Sequence, residues 1–198
     1  MNYLAHACLS FDQPAILTGN MISDFVKGKR KFDFSPAIQK GIALHRAIDD
    51  FTDFHPVTQA AKSYFKKDYR LYSGAFVDVV YDHFLANDTT EFKNGPELDS
   101  FCRRTYASLQ KDREVLPAKF LQMLPLMQEQ NWLYNYRFKE GIEKSFGGLV
   151  RRATYLTESA IAYTIFNEFH DELGECYQSF FPALKDFAFR YLGTLNDR

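Results

Sequence analysis

Apolar residues recur along this chain at helical spacing, and no stretch alternates as a strand on a half-buried sheet would. Ile16, Leu17, Met21, Ile22, Phe25 and Val26 predict a helix over 14–27, and Ile38, Ile42, Leu44, Ile48 and Phe51 one over 36–53. Phe76, Val79, Val80, Phe84 and Leu85 predict another over 74–86. Similar patterns cover 56–68, 96–112, 117–130, 131–146, 152–172 and 175–195. Pro14, Pro36, Pro56, Pro96, Pro117 and Pro182 each precede or open such a run, at the first-turn position where proline costs no hydrogen bond. Gly28, Gly95 and the Gly147-Gly148 pair read as breaks. The expected fold is all-α, about eight or nine helices in one domain over 1–198.

At 198 residues such a domain buries roughly 70% of its unfolded surface and needs no disulfide or metal merely to fold. The formal net charge of -1 argues against a general nucleic-acid binder, whose surface would be strongly basic. That near-neutral total hides a segregation. Residues 27–70 hold ten Lys or Arg against five Asp, so this stretch of the chain is cationic and the remainder acidic. Cys8, Cys102 and Cys176 are odd in number and far apart, as expected of reduced thiols in a cytoplasmic protein. The opening MNYLAHACLSF does not read as a signal peptide, and no run approaches the length of a membrane span. Aromatics make up 17% of the chain, with 20 Phe and 12 Tyr. A bulky helical core accounts for most of them, including Phe76, Phe84, Phe166, Phe169, Phe180, Phe181 and Phe187.

The chemistry lies with the histidines. His45 and Asp49 are four apart and share a helix face, and Asp53 is a further turn along. Asp82 and His83 are adjacent in another helix, about 100° apart around its axis, so one small ion is not easily reached by both. Asp24 and His6 belong to two more segments. Imidazoles and carboxylates gathered from several helices suit a divalent metal, Mn or Fe as the mixed set indicates, and hence a phosphohydrolase. The alternative for any one pair is a surface ion pair or a hydrogen-bonded core histidine. His170-Asp171 reads as solvated helix face and His55 as a turn residue.

Four stretches, MNYLAH, GNMISDFVKG at 19–28, GIALHRAIDDFTD at 41–53 and DVVYDHFL at 78–85, occur in the order and separation of one family. Together they resemble the acyl carrier protein phosphodiesterases, distant relatives of the HD-type phosphohydrolases. The second half is similar more weakly, through 132–136 and GGLVRR at 147–152.

The resemblance implies an HD-like helical enzyme, dependent on Mn (or Mg or Fe), that hydrolyses 4′-phosphopantetheine from a serine of holo-acyl carrier protein. It implies His6, Asp24, His45, Asp49, Asp82 and His83 as metal-site residues, with Asp53 beside them. Where some family members carry a second histidine two positions after the first, this chain has Cys8. Asp24 or Asp82 would serve as general base, and Arg46 would stabilise charge on the phosphoryl oxygens. Arg151 and Arg152, after the glycine pair, would reach a phosphate. An acidic carrier calls for a basic docking surface, for which Lys27, Lys29, Arg30, Lys31, Lys66, Lys67 and Arg70 are candidates. The other readings are a phosphohydrolase of small nucleotides and a non-catalytic helical interaction protein.

Overall fold

The computed structural model describes residues 1–196, and among them every regular element is helical. The helices are α1 (Tyr3–Cys8), α2 (Pro14–Ile22), α3 (Pro36–Phe54), α4 (Pro56–Tyr69), α5 (Ser73–Asn87) and α6 (Gly95–Lys111). They continue as α7 (Ala118–Glu129), α8 (Trp132–Asn135), α9 (Lys139–Arg152), α10 (Ala160–Glu168) and α11 (His170–Asn196). The all-α expectation holds. The helices outnumber the expected eight or nine because α1 and α8 are too short to show a period.

The starts follow local chemistry. Pro36, Pro56 and Pro96 stand in first turns, and the residue ahead of the helix accepts an otherwise unpaired N–H. Ser35 caps Ile38, the His55 imidazole caps Val57, and Asn94 caps Glu97. His55 is thus the junction between α3 and α4, as a turn residue should be.

Several boundaries differ from expectation. The helix at 14–27 stops at Ile22 and passes through a 3-10 turn, Ser23–Phe25, to Gly28, whose φ of 59° is left-handed. The run at 131–146 is two helices, because the chain turns at 136–138. The run at 152–172 contains a loop at 153–159 and then α10. Gly147 and Gly148 make no turn, since α9 runs straight through them. Pro182 opens no helix but lies inside α11. Its missing N–H and ring clash cost about 3 kcal/mol, outweighed where a 27-residue helix packs against α3, α4 and α5.

α5 is the central helix. Ten of its 15 residues are buried, so it is apolar nearly all round and must have neighbours on every side. α1, α4, α9 and α11 supply them. The aromatic excess fills this interior: Phe76 packs edge-on to Phe146 at 5.0 Å, and Phe146 to Phe166 at 6.3 Å. Phe180 and Phe181 are buried, while Phe84, Phe169 and Phe187 pack against the core from its margin. No helix among the described residues is long and apolar enough to cross a membrane.

One contact positions the chemistry. α2 and α3 meet backbone to backbone at Gly19 and Gly41. A Cβ on Gly19 would strike the Ile38 carbonyl, and one on Gly41 the Ile16 carbonyl. With both absent, the α2 main chain comes within hydrogen-bond reach of side chains on α3.

Candidate active site

His6 on α1 and His45 on α3 stack nearly parallel, ring centres 3.9 Å apart and planes 14° from each other. Both rings are buried. Asn20, one residue beyond the Gly19 contact, orients both. Its side-chain Nδ2 donates to the His6 carbonyl at 2.8 Å and to Ser10 Oγ at 3.1 Å, which turns its Oδ1 toward His6 Nδ1, 2.8 Å away. Its main-chain carbonyl lies 2.7 Å from His45 Nδ1. Each Nδ1 therefore carries a proton and donates it to an Asn20 oxygen.

That leaves both Nε2 atoms as lone pairs facing one point. His6 Nε2 is 3.3 Å from Asp49 Oδ1, and His45 Nε2 is 3.1 Å from Asp49 Oδ2 and 3.2 Å from Asp24 Oδ1. Four acceptors cannot share such a space without a positive charge among them. A proton on His45 can serve: burial opposes it, but Asp24 and Asp49 override burial and raise its pKa to about 9. His6 cannot supply another. Burial first, then the neighbouring His45 charge, push its pKa down to about 4, and its Nε2 is a buried atom without a hydrogen-bond partner. Despite its own burial, Asp49 is held well below the usual carboxylate range by the two imidazoles and the Met1 ammonium, 3.4 Å away. Bonding to His45 likewise lowers Asp24.

A divalent cation would satisfy the lone pairs of His6, His45 and Asp49 at once. One ligand atom from each of His6, His45 and Asp49 lies within 4.8 Å of the others, and Asn20 supplies the outer hydrogen bonds that metal-bound imidazoles characteristically make. The residues present fit a metal. Asp24 stands at the mouth, with its side chain 69% exposed.

The remaining expected site residues lie elsewhere. Asp82 is fully buried on the α1 side of α5, where it accepts the Leu4 N–H at 2.7 Å and the Ala5 N–H at 3.2 Å. With Asn2, which caps the Tyr3 N–H, it closes the amino end of α1. Burial pushes its pKa up to about 7, while those N–H groups and the Met1 ammonium pull it back. His83, rotated about 100° from Asp82, faces a different side. Its Nδ1 donates to the Tyr136 carbonyl at 2.8 Å and its Nε2 meets His170 Nε2 at 3.3 Å. His170 is thus half-buried against His83 as well as flanking Asp171, more than the solvated face expected of it. Asp53 pairs with Lys62 at 2.7 Å. Arg46 donates to the Val26 carbonyl at 2.9 Å and ties down the segment that carries Asp24.

Two predictions follow from these contacts. Asn20→Leu removes the acceptor at His6 Nδ1 and should weaken metal affinity 10–100-fold in a Mn titration, the usual effect of losing such a partner. An affinity equal to wild type would show that the ring needs no such anchor. The second concerns acid. Burial lowers the His83 pKa to about 4 from 6.5, so the fold favours its neutral form. That stability is fully present above pH 6.5 and drains away as pH falls toward 4, reaching roughly 3 kcal/mol. Urea unfolding of His83→Gln should show a shallower decline over this window than the wild-type protein.

Asn20, Gly19 and Gly41 had no role in the sequence reading, although all three stand inside the stretches quoted for the resemblance. The signal was there as a GN pair preceding the Asp24 segment and a glycine four residues before His45.

A helical scaffold that focuses two imidazoles and a carboxylate on one point, with a second carboxylate at the mouth, has the form of a metallohydrolase centre. The comparisons narrow this. The profile of the acyl carrier protein phosphodiesterase family matches residues 1–184, and the chain belongs to that family. Proteins named acyl carrier protein phosphodiesterase from Yersinia enterocolitica and Yersinia pestis are each 29% identical over 184 residues, covering 93% of this chain and 95% of the relative. One from Serratia proteamaculans is 28% identical over the same length. No solved structure matches the chain.

Proposed function

We propose that this protein is a phosphodiesterase that removes 4′-phosphopantetheine from the serine of holo-acyl carrier protein, with Mn as its metal. The observation that carries the reading is the convergence of His6, His45 and Asp49, in a chain that belongs to the family throughout residues 1–184. A divalent ion held there supplies Lewis acidity at a phosphoryl oxygen and acidifies water. Asp24, ionised and exposed beside that point, accepts the proton of the attacking water. Arg46 braces the Val26 segment and so fixes Asp24. Asn20 holds both imidazoles in one tautomer. Asp82 anchors the helix on which His6 rides.

The carrier docks on cationic surface. Lys27, Lys29 and Arg30 are exposed in the turn that follows Asp24, where Lys31 lies 5.0 Å over the exposed ring of Phe32. Lys66, Lys67 and Arg70 form a second exposed group beside Leu71, itself 99% exposed. Basic side chains around an apolar residue suit an acidic helical partner. The free thiols of Cys8, Cys102 and Cys176 fit a reducing compartment, and the cytoplasm is where such a carrier would be met.

Incubation with holo-carrier and Mn should lower the carrier mass by one phosphopantetheine. An unchanged carrier, with turnover of a small nucleotide, would replace this reading with that of a nucleotide phosphohydrolase. Turnover of the carrier should also fall steeply between 50 and 300 mM salt, because the Debye length contracts from roughly 14 to 6 Å. A flat profile would remove the basic segments from the docking surface.

A further inference from the structure

A groove of about 830 Å³ lies between α7, α8 and α9, within the range of about 300–1,000 Å³ typical of small-molecule sites. One wall is α9: Gly141, Lys144, Ser145, Gly148 and Arg152 line it along one face, with Glu143, Gly147 and Arg151 on the flank beside it. At 1.5 Å per residue this face runs about 16 Å, a long slot rather than a round cavity. Trp132 and Tyr136 contribute aromatic surface opposite polar groups, a lining suited to a chain that mixes methyl groups with amides.

Two features of α9 have no explanation in the fold itself. Gly147 and Gly148 are consecutive inside a helix, which weakens it relative to alanine. Neither has a left-handed φ among the described residues, and neither is crowded. A Cβ on Gly148 would meet only Arg151 Nη2 at 3.7 Å, in ordinary contact, in contrast to Gly19 and Gly41, where backbone stands in the way. What a side chain there would take away is room in the groove. The second feature is charge. Lys144, Arg151 and Arg152 stand along this wall, exposed, with no carboxylate within ion-pair distance among the described residues.

The groove also touches α1, the helix that carries His6 about one turn beyond Asn2. Asn2, which caps α1, lines it, and the next residue, Tyr3, has its hydroxyl in the electrostatic field of both Arg152 and Asp24. Arg152 and Asn2 thus share the slot, and Arg152 stands at its α1 end.

We propose that this groove seats the extended pantetheine arm of the substrate, with Arg152 on a phosphate oxygen at its inner end and Gly147-Gly148 keeping the track open beyond it. This rests on the phosphodiesterase reading above and adds to it the residues that select the arm.

The test compares two substrates on the Mn-loaded enzyme: holo-acyl carrier protein, which has the arm, and bis(p-nitrophenyl) phosphate, which lacks it. Gly148→Phe fills the slot and should lower the ratio of the two activities at least tenfold. Gly148→Ala should raise the melting temperature by about 2–4 °C through helix propensity while still lowering the ratio, which separates a filled groove from a damaged fold. Free pantetheine should inhibit the wild-type enzyme competitively against holo-carrier and inhibit Gly148→Phe far less. A wild-type enzyme active on holo-carrier, with the ratio unchanged in both variants and no inhibition by pantetheine, would overturn the groove and leave the phosphodiesterase reading standing. A wild-type enzyme inert on holo-carrier would overturn that reading, and the groove assignment with it.

Discussion

Replacing any one of His6, His45 or Asp49 should abolish metal-dependent hydrolysis, a drop of roughly 10³-fold or more, or about 4 kcal/mol of lost transition-state stabilisation. The most telling variant is Asp49→Asn, which keeps the shape of the side chain. Its melting transition should stay cooperative, because the apolar cluster beneath it, built on Ile42, Leu44 and Ile48 of α3, is untouched. What should vanish is the response to metal. At a Mn concentration 100 times the dissociation constant the wild-type protein gains about 2.7 kcal/mol, or roughly 5–10 °C in a chain of this size. Asp49→Asn should gain almost none of it. If the variant melted like wild type with and without Mn, and still turned over substrate, the three residues would not be the metal site.

Asp82→Ala should damage the fold rather than the chemistry. The carboxylate accepts two main-chain N–H groups at the amino end of α1, where the helix dipole also favours negative charge. Alanine leaves both N–H groups buried and unpaired, at about 1–3 kcal/mol each. A net loss of about 3 kcal/mol corresponds to a fall of roughly 6–12 °C in melting temperature. Asp82→Asn retains one good acceptor and should fall about half as far. Activity would decline in step with the fraction folded, and further through the loosened position of His6. An Asp82→Ala protein with wild-type stability and no turnover would reverse this assignment and make Asp82 part of the chemistry.

The contrast between Asp82 and Asp49 shows what could be read before the structure was known. Both are aspartates in helices beside a histidine, at spacings compatible with a metal site. The i, i+4 relation of His45 and Asp49 is a property of a single helix, and it survives folding unchanged. The adjacency of Asp82 and His83 already implied divergence of about 100°, and the two indeed serve different sides of α5. Which side faces the cluster of His6, His45 and Asp49 was not a local question. His6 reaches His45 on an α1 that Asp82 ties to α5, and Asn20 reaches both because α2 and α3 touch at two glycines.

Local residue patterns alone make this chain helical, set where most of its helices lie, and put His45 and Asp49 on one face. Periodicity and capping act over one to four residues, so they can be read directly. The four co-linear stretches also pointed to the family. Packing settles which of the expected site residues converge, that Asn20 orients both imidazoles, that Asp82 anchors a helix end, and that the Gly147-Gly148 pair lines a groove inside a helix where a turn was expected. Each of these depends on the approach of segments distant along the chain. The backbone contact at Gly19 and Gly41, the burial that lowers His6, and the carboxylates that raise His45 against its own burial exist only once the helices are packed.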